Sequence, residues 1–263
     1  MPLDPAYLST AIRGALAAGR IHTKYFRANP AVHKKGPIDL VTSADLEVER
    51  EFRTLIAREW PDHGVLGEEY ASGGASGQRC RWIIDPLDGT TNFAHGLALY
   101  CVSIAFEVDG RVELGVVFDP MAGELFTAER GGGARLNGHP IRVSDTQRLL
   151  DGLLCTGFPY SIQEQRGSQV EIFAAFLGKA RAVRRLGSAA LDLCYVAAGR
   201  FDAFWEDHLH AWDIAAASLI AAEAGARVTG YDGGYVDLFR GQIVASNGRL
   251  HPDVLQVIRA HYR

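Results

Sequence analysis

One stretch constrains this chain more than any other: Arg81-Trp82-Ile83-Ile84-Asp85-Pro86-Leu87-Asp88-Gly89-Thr90-Thr91-Asn92-Phe93, where an apolar run stops at two carboxylates bracketing a proline. Trp82, Ile83 and Ile84 suit a buried strand, with Asp85 expected at its carboxyl end, a common place for chemistry in layered α/β proteins. Pro86 is expected to end the strand, because proline cannot donate to a sheet ladder. Leu87 and Asp88 then fall in a tight turn that aims both acids into one cavity. Gly89 lets another group approach the backbone, and Thr90 and Thr91 are expected in the first turn of a helix, whose free N–H groups form an anion site. Carboxylates beside such a cradle fit metal-assisted phosphate chemistry with a hard cation such as Mg²⁺. Taken alone, Asp-x-x-Asp-Gly fits an ordinary turn as well.

Composition narrows the field. A chain of 263 residues that is 48% apolar can bury a sizeable core. A net charge of −4 argues against a general nucleic-acid binder, and no block of like charge forms a polybasic tail. Cys80, Cys101, Cys155 and Cys194 are widely spaced with no Cys-x-x-Cys pair, so they read as reduced, buried thiols. The N-terminal segment carries Asp4, Arg13, Arg20 and His22 and lacks the apolar core of a signal peptide. The most apolar run, 214–222, is about half of what a bilayer requires. A cytoplasmic protein without a membrane partner is expected.

Along the chain, Leu8, Ile12, Ala15, Leu16 and Gly19 repeat at helical spacing from Pro5 to Phe26, and Val48, Phe52, Leu55 and Ile56 predict a second helix ending before Pro61, capped by Thr42 or Ser43. The segment between them is polar and turn-rich. Val65 and Leu66 form a short strand leading into Gly67-Glu68-Glu69, and 71–77 reads as a small-residue surface loop. Residues 100–108 and 112–118 flank Asp109-Gly110, a hairpin signal; Leu125 to Ala128 gives a further strand. Strands are then expected over 152–157, 201–205, around Val228 and over 242–245. Helices are expected over 170–177, 189–198 and from Trp212 to Ala224, with a last one around Val254 to Ile258. Arg184 to Ser188 reads as a turn. This order argues for a layered mixed α and β architecture.

Glu68, Asp85, Asp88 and Asp213 all fall at element ends. A cluster of unpaired carboxylates repels itself, so their convergence would call for a bound cation. Gly67-Glu68-Glu69, Trp82 to Phe93, and Trp212-Asp213 with Glu223-Ala224-Gly225-Ala226 closely resemble the inositol monophosphatase family. The resemblance extends to Lys34, Pro37, Asp39-Leu40-Val41-Thr42 with Asp45, to Phe118-Asp119-Pro120-Met121, to Leu136-Asn137-Gly138 and to Gly187-Ser188-Ala189-Ala190, and so covers nearly the whole chain. It implies a five-layer αβαβα sandwich, one domain over 1–263 with an α+β half to about residue 145 and an α/β half beyond it. It also implies a homodimer and lithium-sensitive, Mg²⁺-dependent hydrolysis of phosphate monoesters.

Carried over residue by residue, the resemblance makes Glu68, Asp85 and the Leu87 carbonyl ligands of one Mg²⁺, and Asp85, Asp88 and Asp213 ligands of a second, with Glu68 supporting a third, weakly held ion. Asp45, Glu68 and Thr90 take catalytic roles, Thr90 and Asp45 orienting the attacking water. Gly89 and Thr90 meet the phosphate through their N–H groups, with Thr91 alongside. Glu206 and the turn Gly187-Ser188-Ala189 contact substrate hydroxyls, together with Asp88, Asp213 and Arg184. His208 and His210 invite a zinc reading, yet as alternating loop residues beside so many acids they are read as loop residues. The substrate expected is inositol monophosphate or a similar polyol phosphate. Relatives that cleave fructose bisphosphate, histidinol phosphate or 3′-phosphoadenosine phosphates stay open; for the last two, Thr91 stands where a basic residue is frequent. A different class of reading, a regulatory protein that contacts RNA or the transcription machinery, also stays open.

Overall fold

The computed structural model describes residues 3–28, 32–34, 40–70, 78–159, 162 and 167–262. The matches at Pro37 and Asp39, the side chain of Lys34 and the loop 71–77 lie outside the described residues. The first two helices are α1 (Pro5–Ala28) and α2 (Ser43–Glu59). Thr42 caps α2: its hydroxyl accepts from Ala44 N while the Asp45 side chain returns to the Thr42 backbone, so free amides of the first turn are satisfied from both sides. Ahead of it, β1 (Val32–Lys34) and β2 (Leu40–Thr42) pair antiparallel, in the stretch whose polar, turn-rich sequence predicts no strand.

The central sheet has seven strands in chain order: β3 (Gly64–Gly67), β4 (Cys80–Asp88), β5 (Cys101–Val108), β6 (Arg111–Asp119), β7 (Glu124–Glu129), β8 (Ala134–Leu136) and β9 (His139–Pro140). Only β3 and β4 run parallel; the rest is a meander. Asp109 and Gly110, with φ of 51° and 78°, make the β5–β6 turn with left-handed backbone, which is why Asp-Gly signals a hairpin. A second sheet is ordered β11 (Ala182–Arg184), β10 (Leu153–Thr156), β12 (Ala203–Glu206), β14 (Ile243–Ser246), β13 (Arg227–Thr229). Four more helices matter to the layering: α4 (Gly167–Leu177), α5 (Ala189–Ala197), α6 (Ala211–Glu223) and α7 (His251–His261).

Period-two alternation makes each sheet two-faced. Trp82, Ile84, Val102, Ile104 and Phe106 pack against α1 and α2, whereas Ile83, Ala105 and Val117 face α5 and α6. The second sheet turns Cys155, Phe204 and Ala245 toward that same α5–α6 layer, and Leu154, Trp205 and Val244 toward α4 and α7. The result is the expected five-layer αβαβα sandwich. Gly115 lets the middle layer sit close: a Cβ there would stand 2.5 Å from the carbonyl oxygen of Ala216 on α6.

Two expectations need correction. Pro86 does not end its strand: β4 runs on to Asp88, and the register passes from Asp85↔Ser103 to Asp88↔Cys101, so Pro86 and Leu87 together oppose Val102. A bulge needs no ladder donor at the proline, which is how the strand tolerates it. Arg184 ends a strand, β11, parallel to β10, instead of lying in a turn. No helix among the described residues is long and apolar enough to cross a membrane.

Candidate active site

The bulge is where sequence becomes site. Leu87 N donates to Asp85 Oδ1 at 2.9 Å, and the Leu87 carbonyl accepts from Thr90 Oγ1 at 2.9 Å. Gly89 turns the chain with φ of 96°, where an added Cβ would meet the Leu99 carbonyl at 2.9 Å, and a single-turn helix, α3 (Thr90–Ala94), follows. Glu68 follows β3, the parallel neighbour of β4, and Asp213 sits in the first turn of α6, its Oδ2 accepting from His210 N at 2.6 Å. Glu68, Asp85, the Leu87 position, Asp88 and Asp213 thereby line one cavity of about 170 Å³, with Gly89, Thr90, Gly187, Ser188, Ala189 and Glu206.

The acids are held under electrostatic stress. Asp85 is 2% exposed; burial first, then the charges of Glu68, Asp88 and Asp213, push its carboxyl well above the usual range. Asp88 reaches across to α5, its Oδ2 accepting from Ser188 Oγ at 2.6 Å and from Ala190 N at 2.7 Å. Burial still lifts it to about 7 against those bonds. Asp45 is fully buried behind the cavity: Oδ2 accepts from the Thr42 N–H and hydroxyl, Oδ1 lies 3.3 Å from Thr90 Oγ1 as an alternative to the Leu87 carbonyl for that hydroxyl's one proton, and burial raises the carboxyl to about 6. Asp45 therefore reaches the cavity only through Thr90.

At the far end, Glu206 closes β12 with its carboxylate laid against Gly157, so tightly that any Cβ at residue 157 would collide with it. Burial, with the charge of Asp213 adding and Arg185 opposing, lifts Glu206 to about 8. Gly187, at φ of 91°, carries the chain into α5, whose N-cap Ser188 also holds Asp88.

Hard oxygen donors that repel one another around a cavity suit a hard cation. Among the described residues, no group of three or more His, Cys, Asp or Glu forms a ready-made metal cage. The spread donors match an ion that keeps part of its water shell, as Mg²⁺ does.

The sequence pattern of the inositol monophosphatase family matches residues 5–263. The chain belongs to that family. Its relatives include the Nus factor SuhB of Escherichia coli K12, 43% identical over 96% of this chain and 95% of the relative, and the inositol-1-monophosphatase of Mesorhizobium japonicum, 41% identical over 97% and 96%. Among solved structures, the extragenic suppressor protein suhB from Bartonella henselae superposes with a TM-score of 0.91 at 39% identity, covering 97% of this chain and 98% of that one. An IMPase/NADP phosphatase complexed with Mg²⁺ and phosphate does so with a TM-score of 0.81 at 26% identity, covering 90% of each.

Within this inositol monophosphatase fold, not every expected residue reaches the cavity. Thr91 does not line it: one residue further around the α3 turn than Thr90, it is only half-buried. Arg184 does not line it either; it is exposed, with its Nη1 on the Val183 carbonyl, and the neighbouring Arg185 takes the wall position instead. Arg184 is the last residue of β11, and the chain leaves the strand at Arg185 on its way to the Gly187 turn, which is how the second arginine and not the first meets the wall. Asp192 is the residue that sequence reading missed. It is 1% exposed, lines the cavity one helical turn after Ser188, and its Oδ1 is a buried atom without a hydrogen-bond partner among the described residues. The i, i+4 spacing from Ser188 is the signal that could have found it. His208 and His210 also border the cavity; the His210 ring stacks on Trp212 at 4.7 Å.

Proposed function

We propose that the protein hydrolyses the phosphate monoester of inositol or a closely similar polyol, with Mg²⁺ held by Glu68, Asp85, the Leu87 carbonyl, Asp88 and Asp213. The observation that carries this reading is the lining of one cavity by four acids, one of which, Asp85, is pushed up by burial and then by the charges of the other three, an arrangement a bound cation relieves. When bound, Mg²⁺ would neutralise phosphate oxygens and stabilise the leaving alkoxide. The chain's own residues do the rest. The Gly89 and Thr90 backbone offers N–H groups to the phosphate. The Thr90 hydroxyl has one proton to share between two acceptors, the Leu87 carbonyl and Asp45; it orients a water for direct attack by accepting from it, and Asp45 when ionised is the acceptor that draws the Thr90 proton toward itself. Glu206 and the Gly187-Ser188-Ala189 turn receive the alcohol, the Glu206 carboxyl offering an acceptor oxygen to adjacent hydroxyls whether or not it carries its proton. Among the described residues no histidine bonds a buried cysteine, and burial pushes the Cys101 and Cys194 thiols up, away from the thiolate a nucleophile needs.

Phosphate release from a panel of inositol, sugar, histidinol and nucleotide monophosphates tests this, with and without chelator. Inositol or polyol phosphate with Mg²⁺ is expected to lead, and Asp88→Asn to abolish release; no release from any substrate would end the enzymatic reading. The relatives named Nus factor favour a second reading, a binding role that outlives the loss of catalysis. It predicts that Asp88→Asn leaves the biological role intact. We also propose a homodimer, for which sedimentation should give twice the mass of one chain.

A further inference from the structure

The bulge between Asp85 and Asp88 has few backbone polar groups, and their partners can be followed one by one. Pro86 has no N–H, the Leu87 N–H goes to Asp85, and the Leu87 carbonyl accepts from Thr90. The Pro86 carbonyl accepts from a residue that plays no other part in the site: His22 on α1, whose Nε2 lies 2.8 Å away. A carbonyl only accepts, so Nε2 carries the ring proton.

His22 is an unusual choice for this place. It is fully buried among aromatic side chains, edge-on to Tyr100 at 5.7 Å and to Phe93 at 6.2 Å. Burial lowers its pKa to about 4, so the ring is neutral at ordinary pH and Nδ1 is a bare acceptor. That Nδ1 is buried with no hydrogen-bond partner among the described residues, an arrangement that disfavours a histidine here. A leucine would fill similar space without that burden. What the histidine adds is the proton given to Pro86, the residue standing between two of the acids.

We propose that His22 is a positioning residue for the cation site, holding the Pro86 carbonyl and so fixing the bulge that spaces Asp85, the Leu87 carbonyl and Asp88. It rests on the reading that these groups hold Mg²⁺. Partners that orient ligands without touching the metal commonly affect its affinity by about 10–100-fold. His22→Leu removes the donor and keeps apolar bulk, while His22→Gln carries an amide N–H near the position of Nε2. Calorimetric titration of the substrate-free protein with MgCl₂ reads the site directly, beside the Mg²⁺ dependence of phosphate release and the melting temperature without metal.

His22→Leu is expected to bind Mg²⁺ about tenfold more weakly or worse, and His22→Gln within about threefold of the unaltered protein. If His22→Leu does not fold, His22→Met is the second donor-less variant and carries the same expectation. Undiminished Mg²⁺ binding by the folded donor-less variant overturns the proposal, as does equal weakening in His22→Gln, which would make the role one of space-filling. Failure of the unaltered protein to bind Mg²⁺ would overturn both this proposal and the site reading beneath it. Normal binding by the unaltered protein and by His22→Leu alike would sink this proposal alone.

Discussion

Glu206 shows how one carboxyl can be tuned by its neighbours. Its pKa stands at about 8, against 4.5 for the free side chain, because burial and the nearby charge of Asp213 outweigh Arg185. Between those two values the folded chain holds a proton that the unfolded chain has lost, so this group's contribution to stability falls as pH rises through the window. Glu206→Gln carries no charge to disfavour. The metal-free variant should therefore gain stability relative to the unaltered protein on going from pH 5 to pH 8.5, in roughly the window the linkage predicts. Urea midpoints at the two values test it, and a constant difference would contradict the assignment. Gly157→Ala should act on the same carboxylate from behind. Its methyl collides with Glu206, costing on the order of 1–3 kcal/mol and raising KM more than it lowers kcat. At this scale the sequence was legible where a residue type was informative by itself. Glu206 and the four acids stand out as carboxylates at element ends. Arg184 was named and Arg185 was not, since the end of β11 cannot be located within a pair of arginines, and Asp192 went unnamed as a first-turn acid with an ordinary place beside a helix dipole.

Short elements here do two jobs at once. Thr42 starts α2 and also bonds Asp45 through both its N–H and its hydroxyl, bonds that oppose the burial lifting Asp45 to about 6. Thr42→Val should cost about 1 kcal/mol of stability as a lost cap. It should also raise the pKa of Asp45, moving the acidic limb of the pH–rate profile to higher pH, since the ionised carboxylate is the one that holds Thr90. A stability loss with an unmoved profile would separate Asp45 from the rate. The same double use explains which elements could be read in advance. Asp109-Gly110 marked its hairpin because only left-handed backbone closes so short a turn, and the Ala-rich α6 was plain from its length. The β1–β2 pairing was hidden by polar residues that look like loop. Pro86 misled because a proline normally stops a strand, and the bulge that accommodates it depends on partners in β5 and α1 that lie far off in sequence.

Across the whole molecule, the site belongs to neither sheet. Glu68, Asp85 and Asp88 come from the seven-stranded sheet, Glu206 from the five-stranded one, and Asp213 and Ser188 from the helices between them. Asp88 ties these parts by accepting from the first turn of α5. Because Asp88 sits near 7 and Asp85 well above its usual range, the metal-free site holds protons that a cation must displace. Mg²⁺ binding should therefore tighten from about pH 6 to about pH 8, with proton release seen as a buffer-dependent heat in calorimetry. An affinity flat across that range would remove proton–cation exchange from the site. The layering itself was legible from the resemblance and from the order of helices and strands, but which ends of which strands met was not.

The meander from β4 to β9 is contiguous in sequence, whereas Asp213 lies far downstream on α6. During synthesis on the ribosome, the first sheet can pair from neighbouring segments while three of the acids wait for the fourth, and Asp88 for the α5 amides. If these acids hold a cation as proposed, the site can be complete only once the middle helical layer has been made and packed, later than the sheet that carries three of them.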